Sequence, residues 1–355
     1  IIIIIIIIII IIIIIIIIAI IIIIIIIHRP RPHRRLQAQD INMVYQINIH
    51  TNNVDKQHSR NEWGRLRRCV VGSATNANWP VNDPVFSQES TKTTWTETPV
   101  PQGAVPQWIV DQANEDLAVL ANTLTDLGVE VVRPQDRDFV AHDGMYNYCP
   151  RDRLLIYGST VIDPAMMYPC RDQELECYSH VLTPDVDVRS MPRNQGMTLD
   201  AANVLRLDDR MLMLESPAGN RAAYSWLRQQ FPDTSIETCN FYSGVHIDST
   251  IVPLRAGLVM FNAHRVRLQQ VPQVFDGWHK VYIKDVVEQG FYEYPYASKW
   301  IALNMLVVDP NTIIVDKNQP DLIRALEVLK FTVIPLELRH SRTLGGGFHC
   351  VTLDL

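Results

Sequence analysis

The chain has 355 residues, and its 38 acidic against 32 basic side chains leave a formal net charge of −6. No sustained basic face follows residue 36, which argues against nucleic acid as a partner. Its six cysteines, none in a CxxC pair, argue against a disulfide scaffold and lack metal-ligand spacing, so neither a metal nor another cofactor is expected.

Residues 1–27 are isoleucine except Ala19. A run of about 20 apolar residues is long enough to cross a bilayer, and the basic stretch from His28 to Arg35 would suit a cytoplasmic flank. A natural span mixes apolar residue types, so a repeat expansion or a placeholder fits this run better. Residues 1–58 are therefore expected to lie outside the fold, residues 59–355 to form the folded domain, and the protein to be cytoplasmic.

From residue 60 onward a unit of strand, tight turn, strand, helix and strand recurs. Residues 67–72 read as a strand. Residues 109–128 read as a long amphipathic helix with Gly128 at its C-cap, and 129–132 as the next strand. Residues 153–162 form a strand pair around Gly158, and 204–214 another hinged at Asp208-Asp209. Residues 218–231 follow as a helix. Residues 250–261 form a pair broken at Arg255-Ala256-Gly257. The last copy is the clearest: strands at 304–309 and 312–315, a helix at 319–330 with Leu322, Ile323, Leu326 and Leu329 on one stripe, and a strand at 332–336. Residues 351–355 would pair back into the first unit.

The recurrence carries chemistry. Asp152, Asp200, Asp248, Ser298 and Cys350 open successive units at gaps of 48, 48, 50 and 52 residues. Reactive groups at matching points of successive units converge if the units close into a ring. The expected fold is α/β, a propeller of five αβ modules with its site on the central axis.

The run Leu344-Gly345-Gly346-Gly347-Phe348-His349-Cys350 sets a thiol behind three glycines, which let the backbone approach a ligand closely. A nucleophile and a buried core thiol are both open readings. His349 is adjacent, but on a strand it would face away from Cys350 and act as a hydrogen-bonded structural histidine. His246-Ile247-Asp248 offers a better acid and base, because residues i and i+2 of a strand share a face. Carboxylates at Asp152, Asp200 and Asp248 would repel one another: a like-charge pair at about 4 Å costs ~4 kcal/mol at an effective dielectric near 20. They need a cation, and a guanidinium offers five donors in a planar fork.

On Asn61-Glu62-Trp63, Pro150-Arg151-Asp152, Leu199-Asp200-Ala201-Ala202, His246-Ile247-Asp248, Ser298-Lys299-Trp300 and Gly345-Gly346-Gly347-Phe348-His349-Cys350, the sequence resembles the glycine amidinotransferase family of the pentein superfamily. The resemblance covers residues 60 to 355 and implies a five-module propeller and an amidinotransferase catalytic domain. It implies Cys350 as nucleophile, His246 as general acid and base, and Asp200 as the carboxylate that tunes His246 and holds the guanidinium. It also implies Asp152 and Asp248 as substrate contacts, Arg265 for the donor's α-carboxylate and Ser298 as a polar donor contact. The implied partners are L-arginine and an amine acceptor, with ornithine released, and a homodimer is compatible. Ser243-Gly244-Val245 stands where glycine-using members carry Asn-Pro-Met, so Ser243 and Val245 mark an acceptor pocket that argues against glycine. Ala297 and Asn203 are further departures, and the basic tail usual after the cysteine is expected to be absent or truncated. An arginine deiminase-like guanidine hydrolase of the same superfamily is the alternative.

Overall fold

The computed structural model describes residues 59–92, 100–182, 186–242 and 246–355. The isoleucine run and Ser243 and Val245, the residues expected to mark an acceptor pocket, lie outside the described residues.

The chain opens with β1 (Arg68–Val71), a short hairpin of β2 (Asn78–Trp79) and β3 (Gly103–Ala104), and β4 (Glu130–Val132). Helix α1 (Pro84–Lys92) lies within the hairpin and α2 (Gln107–Asp126) follows it. Helix α2 buries Ile109, Ala113, Leu117, Leu120 and Leu124, the three-to-four spacing of one helical face. Helix α3 (Pro150–Arg153) leads into β5 (Leu155–Tyr157), β6 (Thr160–Asp163) and β7 (Asp187–Ser190). Next come β8 (Val204–Arg206), β9 (Arg210–Leu214), α4 (Arg221–Gln230) and β10 (Ser235–Cys239). Then follow β11 (Ile251–Arg255), β12 (Leu258–Asn262), β13 (His279–Ile283), β14 (Leu306–Asp309), β15 (Thr312–Asp316), α5 (Pro320–Val328) and β16 (Thr332–Leu336). The chain finishes with α6 (Ser341–Leu344) and β17 (Thr352–Asp354).

Among the described residues these strands make five three-stranded sheets and the β2–β3 pair. Each three-stranded sheet follows one rule: its middle strand pairs antiparallel with the first and parallel with the third. The rule holds even where the chain order breaks, because the C-terminal β17 supplies the first strand to β1. That pairing is the one expected for residues 351–355. The turns marked by Gly158, Asp208 and Gly257 all carry positive φ, which right-twisted hairpins require.

The recurring helix holds in only part of the chain. Helices α4 and α5 connect β9 to β10 and β15 to β16, and α5 buries Leu322 and Leu326, each contributing about 2 kcal/mol of burial. Between β6 and β7 the link is instead a 3₁₀ helix (Pro169–Tyr178), and between β12 and β13 two short 3₁₀ turns. Pro272 interrupts the second link and removes a helix donor. The first buries the charged Arg171 and Glu174 beside Cys170, Cys177 and Tyr178, a mixed face rather than an apolar stripe. No helix among the described residues is long and apolar enough to cross a membrane.

Candidate active site

The matched positions found along the chain are structurally equivalent. Asp152 lies in α3 just before β5, and Asp200 precedes the short 3₁₀ turn that enters β8. Asp248 sits in the turn before β11, Ser298 caps the 3₁₀ helix before β14, and Cys350 lies in the turn before β17. Each residue thus stands ahead of the first strand of its sheet, where a loop can expose a side chain that a rigid strand then fixes.

Four of these groups and His246 come together. The Cys350 thiol donates to Asp248 Oδ2 at 3.3 Å. One ligand atom from each of Asp152, His246 and Cys350 lies within 4.8 Å of the others, a donor set gathered from distant stretches that local spacing could not reveal. His246 Nε2 donates to Asp200 Oδ2 at 3.0 Å, and His246 Nδ1 lies 3.5 Å from Asp152 Oδ1. Asp200 is fully engaged, since its Oδ1 accepts from the Met167 backbone N–H at 2.8 Å. Asp152 Oδ2 accepts from Arg171 Nη1 at 2.7 Å, while its buried Oδ1 has no hydrogen-bond partner among the described residues. Cys350 and the three carboxylates are buried; the His246 side chain is the most accessible of the set at 17 %.

The three glycines have separate causes. Gly345 adopts φ +80° as the left-handed cap of α6. A Cβ on Gly346 would collide with Cys149 Sγ, and one on Gly347 would come within 2.7 Å of Asn304 Cβ. The loop therefore presses against two side chains that the sequence did not mark as functional. Asn304 Oδ1 accepts the Cys350 backbone N–H at 2.8 Å, and Asn304 O accepts that of His349 at 3.2 Å.

The electrostatics follow from these contacts. A hydrogen bond with Cys149, then burial, then the Asp248 charge hold the Cys350 thiol well above the ordinary cysteine range, against the pull of His246. Burial alone would push His246 down, but Asp152, Asp200 and the Cys350 contact outweigh it and hold it well above the usual histidine value. The resting pair is therefore a thiol and an imidazolium. Burial raises Asp152 despite His246 and Arg171. Burial likewise lifts Glu174, which backs Arg171 at 2.8 Å, to about 7.

Arg265 and Ser298 form a neighbouring group. Arg265 Nη2 donates to Ser298 Oγ at 3.0 Å and Nη1 to Thr250 Oγ1 at 2.8 Å, with the guanidinium 5.0 Å from the Tyr242 ring centre. Among the described residues no carboxylate pairs with it, and burial lowers its pKa. Tyr242 ties this group to the histidine by donating its hydroxyl to the His246 backbone carbonyl.

Two expectations need correction. His246 and Asp248 do not share a strand face; they lie in the irregular turn ahead of β11, and convergence comes from the loop. His349 does not face away from the site, because residues 348–351 form a turn rather than a strand. Its ring is hydrogen-bonded, as expected, but to Asp248 at 2.8 Å and Glu62 at 3.2 Å.

Known proteins share this architecture. The chain is 38% identical over 330 residues to inosamine-phosphate amidinotransferase 1 from Streptomyces griseus, spanning 83% of this chain and 95% of that one. This chain belongs to the amidinotransferase family. A solved structure of an inosamine-phosphate amidinotransferase from the same organism superimposes on this amidinotransferase with TM-score 0.79 at 37% identity, covering 84% of this chain and 95% of that one. The mitochondrial glycine amidinotransferase of Xenopus tropicalis is 26% identical over 345 residues, 84% of this chain and 82% of that one. A dimethylarginine dimethylaminohydrolase adduct, at 14% identity and TM-score 0.60 over 82% of this chain and all of that one, shares the mixed α/β fold alone. No family model matches the chain.

Proposed function

We propose that residues 59–355 transfer the amidino group of L-arginine to an amine acceptor through a covalent intermediate on Cys350, releasing ornithine. What supports this reading is the meeting of one buried thiol, one imidazolium and three carboxylates ahead of the first strands of four sheets. We read the five sheets as a five-module propeller whose axis carries that cluster. Their shared pairing rule and the return of β17 to β1 favour this reading.

His246, Arg171 and His349 already give the carboxylates cations that the sequence reading did not foresee, and the donor guanidinium adds to them at the one acceptor left open among the described residues. Asp152 Oδ1 is the open acceptor for it, and Asp248 flanks the sulfur. Arg265, held by hydroxyls and without a carboxylate partner among the described residues, receives the donor's α-carboxylate beside Ser298. As the donor cation enters, the thiol releases its proton to solvent, since only the thiolate attacks, and the sulfur takes one back when the product leaves. The sulfur bonds to the guanidinium carbon. His246 gives its proton to the departing nitrogen, the carbon–nitrogen bond breaks, and ornithine leaves. An acceptor amine then attacks the amidino-cysteine, neutral His246 takes the amine's proton, and the carbon–sulfur bond breaks to return the thiolate. Asp200, locked by Met167, sets the ring's orientation and keeps it protonated at rest.

The first acceptor to test is the amine of a phosphorylated amino-cyclitol, the class named by the relative at 38% identity. Glycine ranks below it, since the glycine amidinotransferase is 26% identical and the sequence Ser243-Gly244-Val245 departs from glycine-using members. Arginine incubated with a panel of amines should give ornithine and one guanidino product. Initial-rate lines should be parallel for donor and acceptor. Citrulline formed without acceptor would instead identify a guanidine hydrolase, and intersecting lines would defeat the two-step scheme.

A further inference from the structure

His349 and Glu62 have no part in the steps above, yet they end on the sulfur's own neighbour. His349 Nδ1 donates to Asp248 Oδ2 at 2.8 Å and Nε2 to Glu62 Oε2 at 3.2 Å. Carboxylates only accept, so a ring with a carboxylate at each nitrogen carries both protons and is an imidazolium. Arg206 grips Glu62 from the other side, with Nε on Oε1 at 3.0 Å and Nη2 on Oε2 at 2.7 Å. Arg206 continues to Asp354 Oδ2 at 2.8 Å, and Arg151 also pairs with Asp354. Cations and carboxylates thus alternate along a buried row. The row ends on Asp248 Oδ2, the atom that accepts the Cys350 thiol. Buried ion networks are a poor way to gain stability, because desolvation offsets the attraction. One that terminates at a reactive sulfur has another use.

We propose that His349 and Glu62 are positioning residues for the transfer: the His349 imidazolium, fixed by Glu62, holds Asp248 as an oriented anion against Cys350, ready for the donor's guanidinium. The inference rests on Cys350 being the nucleophile. Asp248 is faced by His349, His246, Asn304 and Cys350, with Tyr242 near it, and His349 by Arg151, Glu62 and Asp248. Burial works to raise the Asp248 carboxyl, and the His349 hydrogen bond and charge, together with His246 and Asn304, more than cancel it. Without the imidazolium the carboxyl rises, and Asp248 becomes neutral over more of the acid range.

The test is the pH dependence of kcat/KM for arginine in His349→Asn, which keeps an amide N–H for Asp248 but loses the charge, and in Glu62→Gln. The acid limb should move to higher pH by about one unit in His349→Asn and by less in Glu62→Gln, with KM for arginine raised. A merely structural role predicts lower melting temperatures and an unmoved acid limb, and that result overturns the proposal. Should either variant fail to fold, the ring nitrogens of His349 in the wild-type enzyme decide by NMR: both protonated at pH 7 is expected, and a neutral ring overturns the proposal. Ornithine production by Cys350→Ala would sink the underlying reading instead, whatever the limb does.

Discussion

Two histidines flank the Cys350 sulfur, and each faces two carboxylates. His349 is saturated: Asp248 and Glu62 take its two N–H groups at 2.8 and 3.2 Å, and Glu62 is bound again by Arg206. His246 is not. Asp200 holds one nitrogen at 3.0 Å, the other stands 3.5 Å from Asp152, and Asp152 Oδ1 makes no hydrogen bond among the described residues. A closed set of bonds fixes geometry; a set with an open valence leaves room for a substrate group and a moving proton. In the proposed reaction the same residue types serve as scaffold on one side of the sulfur and as chemistry on the other.

The comparison is sharpened first by exchanging the two rings. His246→Asn should cost roughly 10³-fold in kcat, the scale of a lost general acid and base, while His349→Asn should cost about 10-fold. Steady-state rates at saturating arginine check both, and equal losses would erase the distinction. Next, Arg265→Gln should raise KM for arginine by roughly 10- to 100-fold, as loss of a charged hydrogen-bonding partner does, with kcat changed much less. A decarboxylated donor should show little of that discrimination. Asn304→Ala should lower kcat about 10-fold by releasing the Cys350 backbone N–H, with a smaller change in KM. The smallest effect is in the empty enzyme. Because the Cys350 thiol sits well above the ordinary cysteine range, alkylation by iodoacetamide should be slow at neutral pH and accelerate as pH rises into the alkaline range. Rapid, pH-independent labelling near pH 7 would mean a resting thiolate.

The paired strands and the matched positions were legible in the chain because they are local: a β-hairpin needs only apolar runs and a turn residue, as at Gly158 and Gly257. The matched gaps pointed to Asp152, Asp200, Asp248, Ser298 and Cys350 because each precedes a first strand. The third strands β7, β10 and β13 were not legible. They are partly exposed edge strands without a clean apolar alternation, and their partners come only after a crossover. Arg171, Glu174, Asn304 and Cys149 were missed for a related reason. Arg171, Asn304 and Cys149 act through neighbours distant in sequence and Glu174 only through Arg171, and a lone buried arginine or asparagine has no periodic signature. Glu62 stood within Asn61-Glu62-Trp63, yet its tie to His349 spans nearly the whole domain. His349 itself was misplaced by assuming a strand where residues 348–351 form a turn, behind Gly346 and Gly347, which pack too close to Cys149 and Asn304 for a side chain.

The central claim is a covalent amidino group on Cys350. The most direct measurement is mass spectrometry of the enzyme quenched after mixing with arginine alone. One amidino group on the peptide that contains Cys350, one equivalent of ornithine, and discharge of the adduct when an acceptor amine is added are expected. An unmodified Cys350 peptide alongside steady turnover in the presence of acceptor would contradict it.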